Sequence, residues 1–585
     1  MQTQQGRRLK LAACFAIALA AITASTPYQA ADTYPRQAGV KITHYTFDVT
    51  LSDTSDEITM TETVDIDLLN AGIASVALDL CGPHAKGAAP ASPGDPCVGR
   101  AAPGALSGQA NNAASAGGTG MTVTSVSEGD RPLAFAQKDD GLRITFAAPS
   151  RAGQHVTLTL KYHGAPATGF RIANNKHGDR SFVSNDWPNL AHNWLATIDH
   201  ISMKVPTTMI VTAPVKYQVI SNGLLVQELD LPNGLRRTTW DEKVPIPSWQ
   251  FSLAAAPYAV DHFGDYHGIQ LSSWVYPQER EAGFKAFRDY TRPVMEFFVD
   301  HIGPYSYEKL AQVQANTVGG GMELASSIFY GYTGSPGRQL IAHEMAHQWF
   351  GNSASEADWD DVWLSEGFAT YFALLFQEHR DGREPFVAGV RSSAQNAMRY
   401  ALANPQSTIV HQNLSNISRV IANNAQIYQG GAQVLHMLRG VLGTDTFWNG
   451  IRLYYSRFQN KNASSDDFKR AMQDACAAAS DCVAANRDLA WFFRQWLNQG
   501  GLLQLNGAWH YDATAKQLRV TIDQTQMQGL YRMPIEIVAG NGVPVRVVVD
   551  KQHHEFSLPM ETEPADVKLD PNSWVTMMQA TFVKR

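Results

Sequence analysis

The sequence predicts a multidomain α+β protein in three parts: an N-terminal β-sandwich-like, all-β domain over 32–256, a mainly helical domain over 257–501, and a small C-terminal β-sandwich over 502–585. Three changes of texture carry that reading. The first part holds short alternating runs such as HYTFDVTLS, GLRITFAA and HVTLTLKY, the period-2 pattern of half-buried strands. The middle part turns to long apolar-periodic segments: FKAFRDYTRPVMEFFVDHIG, RQLIAHEMAHQWFG, LSEGFATYFALLFQEHR and GAQVLHMLRGVLG. After Gly500-Gly501 alternation returns in QLRVTIDQ, PIEIVAG and VPVRVVVD. A length of 585 residues, at about 150 per domain, suits such a division. Residues 82–120 interrupt the first part with Gly, Ala, Pro and Ser, as a long exposed loop would.

Ahead of these parts, residues 1–31 have the layout of a secretory signal. Arg7, Arg8 and Lys10 precede LAACFAIALAAITA, an apolar stretch too short to span a bilayer. The expectation is an exported protein, periplasmic or secreted, with no stable membrane span after signal removal. Export and the four cysteines that remain suggest two local disulfides, Cys81–Cys97 and Cys476–Cys482. Free thiols are the alternative. The formal charge of −7 and the lack of any Lys/Arg run set nucleic-acid binding aside.

The chemistry-bearing motif is His343-Glu344-Met345-Ala346-His347. On a helix, residues four apart share a face, so both imidazoles can hold one Zn2+. Ser335 and Pro336 suit the start of that helix and Gly351 its end. Glu344 lies one step round, placed to handle a proton beside the metal without being a ligand. Two buried core histidines are the bland alternative. Glu366, in DVWLSEGFATYF, opens another helical segment. A buried carboxylate there needs a partner, which zinc would supply; an ordinary helix-start carboxylate facing water is the other possibility.

HEMAHQWFGN followed by DVWLSEGFATYF resembles the gluzincin aminopeptidases, the family of aminopeptidase N and leukotriene hydrolase. GGGMEL resembles the family's glycine-x-methionine-glutamate-asparagine motif, IYQGGAQVLHMLR its tyrosine segment, and NDWPNLAHNWLATIDHISMKV a segment carrying an amide that faces the substrate amine. The resemblance implies a thermolysin-like zinc catalytic domain at 257–501 with one Zn2+ per chain on His343, His347 and Glu366. It implies Glu344 as general base and Tyr428 as the phenol that stabilises the oxyanion. Gly320, Gly321 and Met322 would then guide the substrate backbone, since glycine lets it approach closely. The preceding strand, in LAQVQAN, would pair with an extended peptide. Glu323 would accept the α-ammonium, with Asn185 beside it.

The activity so implied is zinc-dependent removal of N-terminal residues from peptides with a free amine. A zinc endopeptidase and a catalytically silent peptide-binding protein are the alternatives. Glu323 argues against the first, because an internal peptide brings no ammonium. The intact His343, Glu344, His347, Glu366 and Tyr428 argue against the second. Three departures from the family stand out. Leu324 replaces the motif's asparagine and is expected to alter affinity or the first side-chain pocket. Gly430 stands where lysine is common. The sequence ends at Arg585, just past the sandwich, so no large C-terminal helical domain is expected and the site should be more open.

Overall fold

A computed structural model describes residues 34–84, 97, 119–138, 140–315, 318–331, 336–410, 425–480, 482 and 488–585. The expected signal segment, most of the 82–120 loop and the expected cap Ser335 lie outside the described residues.

The chain folds as a multidomain α+β protein. Its first part is built on an eight-stranded sheet. Strand Val40–Thr50 pairs parallel with Lys204–Pro214 and antiparallel with Ile58–Leu68. In Ile58–Leu68, ITMTETVDIDL, every second residue is fully buried, as the alternation requires. Smaller sheets of four and three strands complete this region. The cysteines pair as expected, with Cα–Cα separations of 5.5 Å for Cys81–Cys97 and 5.4 Å for Cys476–Cys482.

The next sheet has five strands in the order Ala259–Tyr266, Ile269–Val275, Lys309–Gln314, Ser327–Tyr330, Gly321–Met322. Here one expectation is corrected. The LAQVQAN strand, Lys309–Gln314, is interior: it pairs parallel with a neighbour on each side. All six of its residues are buried, so it has no edge to offer a peptide. The edge is the two-residue strand Gly321–Met322, antiparallel to Ser327–Tyr330.

Helices α1 (Arg280–His301) and α2 (Arg338–His347) pack against this sheet, α3 (Trp363–Asp381) lies on α2, and α4 (Arg383–Ala403) lies on α3. Gly382, with φ +89°, is the single residue joining α3 to α4. A left-handed φ of that kind favours glycine. The helix Gly431–Leu442 is entirely buried and lies against α3. Two small sheets of four and three strands follow at the C-terminal end. No helix among the described residues is long and apolar enough to cross a membrane.

The first sheets are tied to the segment that carries the motifs. Asn222 Nδ2 donates to the Ala325 carbonyl at 2.6 Å, and the Gly223 amide donates to Ser326 Oγ at 2.8 Å. The buried Lys204 ammonium donates to the carbonyls of Asn352 and Ser353, just past α2. These bonds satisfy loop backbone that would otherwise be buried without partners.

Candidate active site

α2 presents His343 and His347 on one face, and the first turn of α3 brings Glu366 against them. His343 Nε2 and His347 Nε2 are 3.2 Å apart, and Glu366 Oε2 lies 3.5 Å and 3.3 Å from them. A tetrahedral ion with bonds of about 2.0–2.1 Å sets its ligand atoms about 3.3 Å apart. Glu366 Oε2 is buried and makes no well-aligned hydrogen bond. Three acceptors thus converge on one point, as a metal requires and a hydrogen-bonded cluster does not.

The charge balance points the same way. Glu323, Glu344 and Glu366 are all buried beside two imidazoles. Burial alone would disfavour charge on His347, but the facing Glu323 and Glu366 carboxylates overcome it and raise its pKa to about 10. Burial raises the Glu366 carboxyl, yet His347 and His343 outweigh it and bring it to about 2. Burial, then repulsion from Glu323, lifts Glu344 well above the carboxylate range. Such a cluster calls for positive charge, which a divalent cation supplies at the convergence point.

His347 is aimed from behind. Its Nδ1 is 2.9 Å from Ser365 Oγ and 3.3 Å from the Phe350 carbonyl. With Nε2 turned to the metal point, Nδ1 carries the hydrogen and donates to these oxygens, which fixes ring and tautomer. Tyr428 lies on a π-helical turn, Gln426–Gly430, that leads into the helix Gly431–Leu442. Its hydroxyl donates to Glu366 Oε1 at 2.5 Å, and its ring lies nearly parallel to that of His343. Two glycines permit this approach. A Cβ on Gly367 would fall 2.8 Å from the Gly431 Cα, so α3 and the second helix touch backbone to backbone there.

Gly321 has a role the sequence did not reveal. A Cβ there would fall 2.1 Å from Glu344 Cδ and Oε1. The missing side chain is the space the Glu344 carboxylate occupies, in addition to any room it leaves for a substrate backbone. Gly321→Ala is therefore expected to displace Glu344. A misplacement near 1 Å can cost about 10²-fold, so kcat should fall by up to that factor while zinc content, read by atomic absorption, stays constant. Gly320 has φ +144° with open space at its Cβ position, so its conformation, not crowding, requires glycine.

Glu323 is buried, with its carboxylate, His347 and Glu366 offering ligand atoms within 4.8 Å of one another, and its Oε1 lies 3.9 Å from His347 Nδ1. Burial, and Glu366 among its neighbours, raises its pKa while His347 opposes the shift. Its carbonyl accepts from Gln348 Nε2 and Asn352 Nδ2, both just beyond α2. Asn185 and Met322 join it in lining the cleft, a cavity of about 850 Å³. Asn185 Oδ1 is buried with no hydrogen-bond partner among the described residues.

Leu324 departs from its expected place. It is fully buried, and the cavity is lined by Met322 and Glu323 but not by it. Its carbonyl accepts from the Ser327 amide. The leucine fills core beneath the loop, so the cleft wall does not register the change from asparagine.

The geometry has counterparts. Residues 289–496 match the Peptidase family M1 domain. This part of the chain is similar to that family's domain. Human glutamyl aminopeptidase is 26% identical over 352 residues, 56% of this chain and 36% of that protein. The rat enzyme is 26% identical over 340 residues, 54% of this chain and 36% of that protein. The chain thus spans little more than a third of the length of these curated relatives. Among solved structures, a variant of a two-domain M1 zinc metallopeptidase bound to L-tryptophan aligns with TM-score 0.61 and 21% identity, over 79% of this chain and 94% of that one. The M1 zinc metallopeptidase of Deinococcus radiodurans gives TM-score 0.60 and 20% identity, over 78% and 93%. These last two likenesses establish the fold.

Sequence reasoning missed Ser365, Gln348, Asn352 and the Gly367–Gly431 contact. The glycines were the readable signal, since glycine inside a helical pattern marks close packing. Ser365, directly before Glu366, carried none.

Proposed function

We propose that the chain is an exported zinc-dependent aminopeptidase that hydrolyses the N-terminal peptide bond of peptides. The observation that carries this reading is the position of Glu323: a buried carboxylate at the end of the edge strand, against the metal-facing pair His347 and Glu366. An α-ammonium held there sets the first carbonyl over the convergence point, because one residue spans about 3.3–3.6 Å.

When bound, zinc supplies Lewis acidity at the scissile carbonyl and eases deprotonation of water. His343, His347 and Glu366 would hold it, one ion per chain. Glu344 takes a proton from the attacking water and returns it to the leaving amine. Tyr428 donates to the carbonyl oxygen as negative charge develops. Glu323 accepts the ammonium, and the orphaned Asn185 Oδ1 accepts a second of its protons. The Gly321–Met322 edge pairs with the substrate backbone. Two disulfides support export, since they persist in oxidising compartments.

A panel of aminoacyl fluorogenic substrates, with an N-acetylated control and with and without chelator, tests the reading. Free-amine substrates should be cleaved, the acetylated one spared, and chelation should stop turnover. Glu323→Ala should lower kcat/KM on free-amine peptides by about 10–150-fold, the range of one charged hydrogen bond. It should leave any residual cleavage of amine-blocked peptide unchanged. Equal losses on both would remove Glu323 as the anchor.

A further inference from the structure

The cavity does not stop at the metal point. Beyond Glu366, Thr370, Ala373, Leu374 and Gln377 line it from one face of α3. Their spacing of three and four residues makes a continuous stripe. Gly389, Ser392, Ser393 and Asn396 line it from one face of α4 with the same spacing, and the first turn of α2 forms the opposite wall. Helices α2 and α3 run antiparallel here: His347 meets Ser365 at one end, and Arg338 meets Asp381 at the other.

Direction follows from that arrangement. Glu323 lies beside His347, the last residue of α2, whereas the groove follows α2 back toward Arg338. A peptide whose amine sits at Glu323 therefore runs past the metal point and into the groove. The stripe from Glu366 to Gln377 spans 11 helical steps, about 16 Å at 1.5 Å per step. That accommodates about five residues of extended peptide.

Apart from the metal-facing residues and from Glu323 and Glu344, the one charged side chain among the described lining residues is Arg338. Both of its terminal nitrogens are engaged by the Asp381 carboxylate. The groove's other polar groups are uncharged: Gln339, Thr370, Gln377, Ser392, Ser393, Asn396 and Gln429. The Ser393 hydroxyl is buried and has no hydrogen-bond partner among the described residues. Gly389 keeps α4 close, since a Cβ there would fall 2.6 Å from Leu374 Cδ2. Amides and hydroxyls of this kind suit peptide backbone, which presents a donor and an acceptor at each residue.

We infer that the α3–α4 groove seats the peptide downstream of the scissile bond, and that its preferred substrates are oligopeptides reaching about five residues beyond that bond, held by backbone contacts and not by their C-terminal carboxylate. The inference rests on the aminopeptidase reading and adds the substrate class to it.

The test is a length series: one favoured N-terminal residue followed by one to eight alanines, each as free acid and as amide. kcat/KM for release of the first residue should rise about threefold per alanine, the yield of one modest hydrogen bond, and level off near five. Acid and amide should agree within about twofold, because the one groove cation among the described lining residues, Arg338, is already held by Asp381. Ser392→Trp, on the exposed wall of α4, should collapse the ratio of long to short substrate. The same peptides titrated calorimetrically into the zinc-loaded Glu344→Gln protein should bind more tightly with length up to the same point. A dipeptide optimum, a flat series, or a tenfold preference for the free acid would overturn the groove assignment. If affinity grows with length but the wild type releases no N-terminal residue, the aminopeptidase reading fails and the groove stands.

Discussion

Glu344→Gln is expected to lower kcat by about 10²–10⁴-fold, the usual contribution of a positioned general base, with zinc content unchanged. Glutamine matches glutamate in shape, so it fits the space that Gly321 leaves open, where a Cβ would come within 2.1 Å of the carboxylate. What it loses is the ability to take up a proton. Burial and the neighbouring Glu323 raise the proton affinity of Glu344, which suits a group that must hold a proton between attack and departure of the amine. The metal-facing atoms belong to His343, His347 and Glu366, so the variant should hold zinc as the wild type does, measured by atomic absorption. Full turnover with zinc in place would remove Glu344 as base; loss of zinc would make it a ligand. Gly321→Ala completes the comparison, because it keeps the carboxylate and moves it. If both variants lose kcat while retaining zinc, position and proton affinity are both required.

What was legible in the sequence is what depends on short spacing. His343 and His347 share a face because they are four apart on one helix, and α2 forms as the motif requires. The alternating strands, the long helices and the closing sheets follow from local periodicity. The cysteine pairs, 16 and 6 residues apart, close short loops. What was not legible depends on which elements meet. The sequence points to the LAQVQAN strand as the one that would pair with a peptide, because a good alternating strand precedes the glycines. Only the sheet order reveals that this strand is enclosed and that two residues, Gly321 and Met322, form the edge. Leu324 looked like a change in the cleft because it neighbours Glu323 in sequence, but in an extended segment adjacent side chains point to opposite faces. Gly321 read as space for substrate, and its contact with Glu344 arises from packing across 23 positions of chain. The α3–α4 groove was invisible for the same reason: its walls become one surface only when Gly382 reverses the chain.

Tyr428→Phe is expected to lower kcat by about 10²–10³-fold, equivalent to about 2.7–4 kcal/mol for one lost oxyanion donor, with little change in KM. The phenol is available as a donor throughout the working pH range, since burial and then the Glu366 charge raise its pKa well above 10. Phenylalanine keeps the ring that lies 7° from parallel with His343 at 6.1 Å, so packing survives and only the hydroxyl goes. That hydroxyl donates to Glu366 Oε1, which allows a second explanation for any loss: the phenol could act by orienting the carboxylate ligand. The two roles separate in measurement. An orienting hydroxyl would show as weaker zinc affinity, with kcat restored at saturating zinc. An oxyanion donor would show as a kcat deficit that persists in the zinc-saturated variant, because the bond it supplies strengthens only as charge builds on the substrate oxygen. Tyr428 sits on the π-helical turn at Gln426–Gly430 and lines the cleft, and backbone irregularity of that kind is frequent at functional sites.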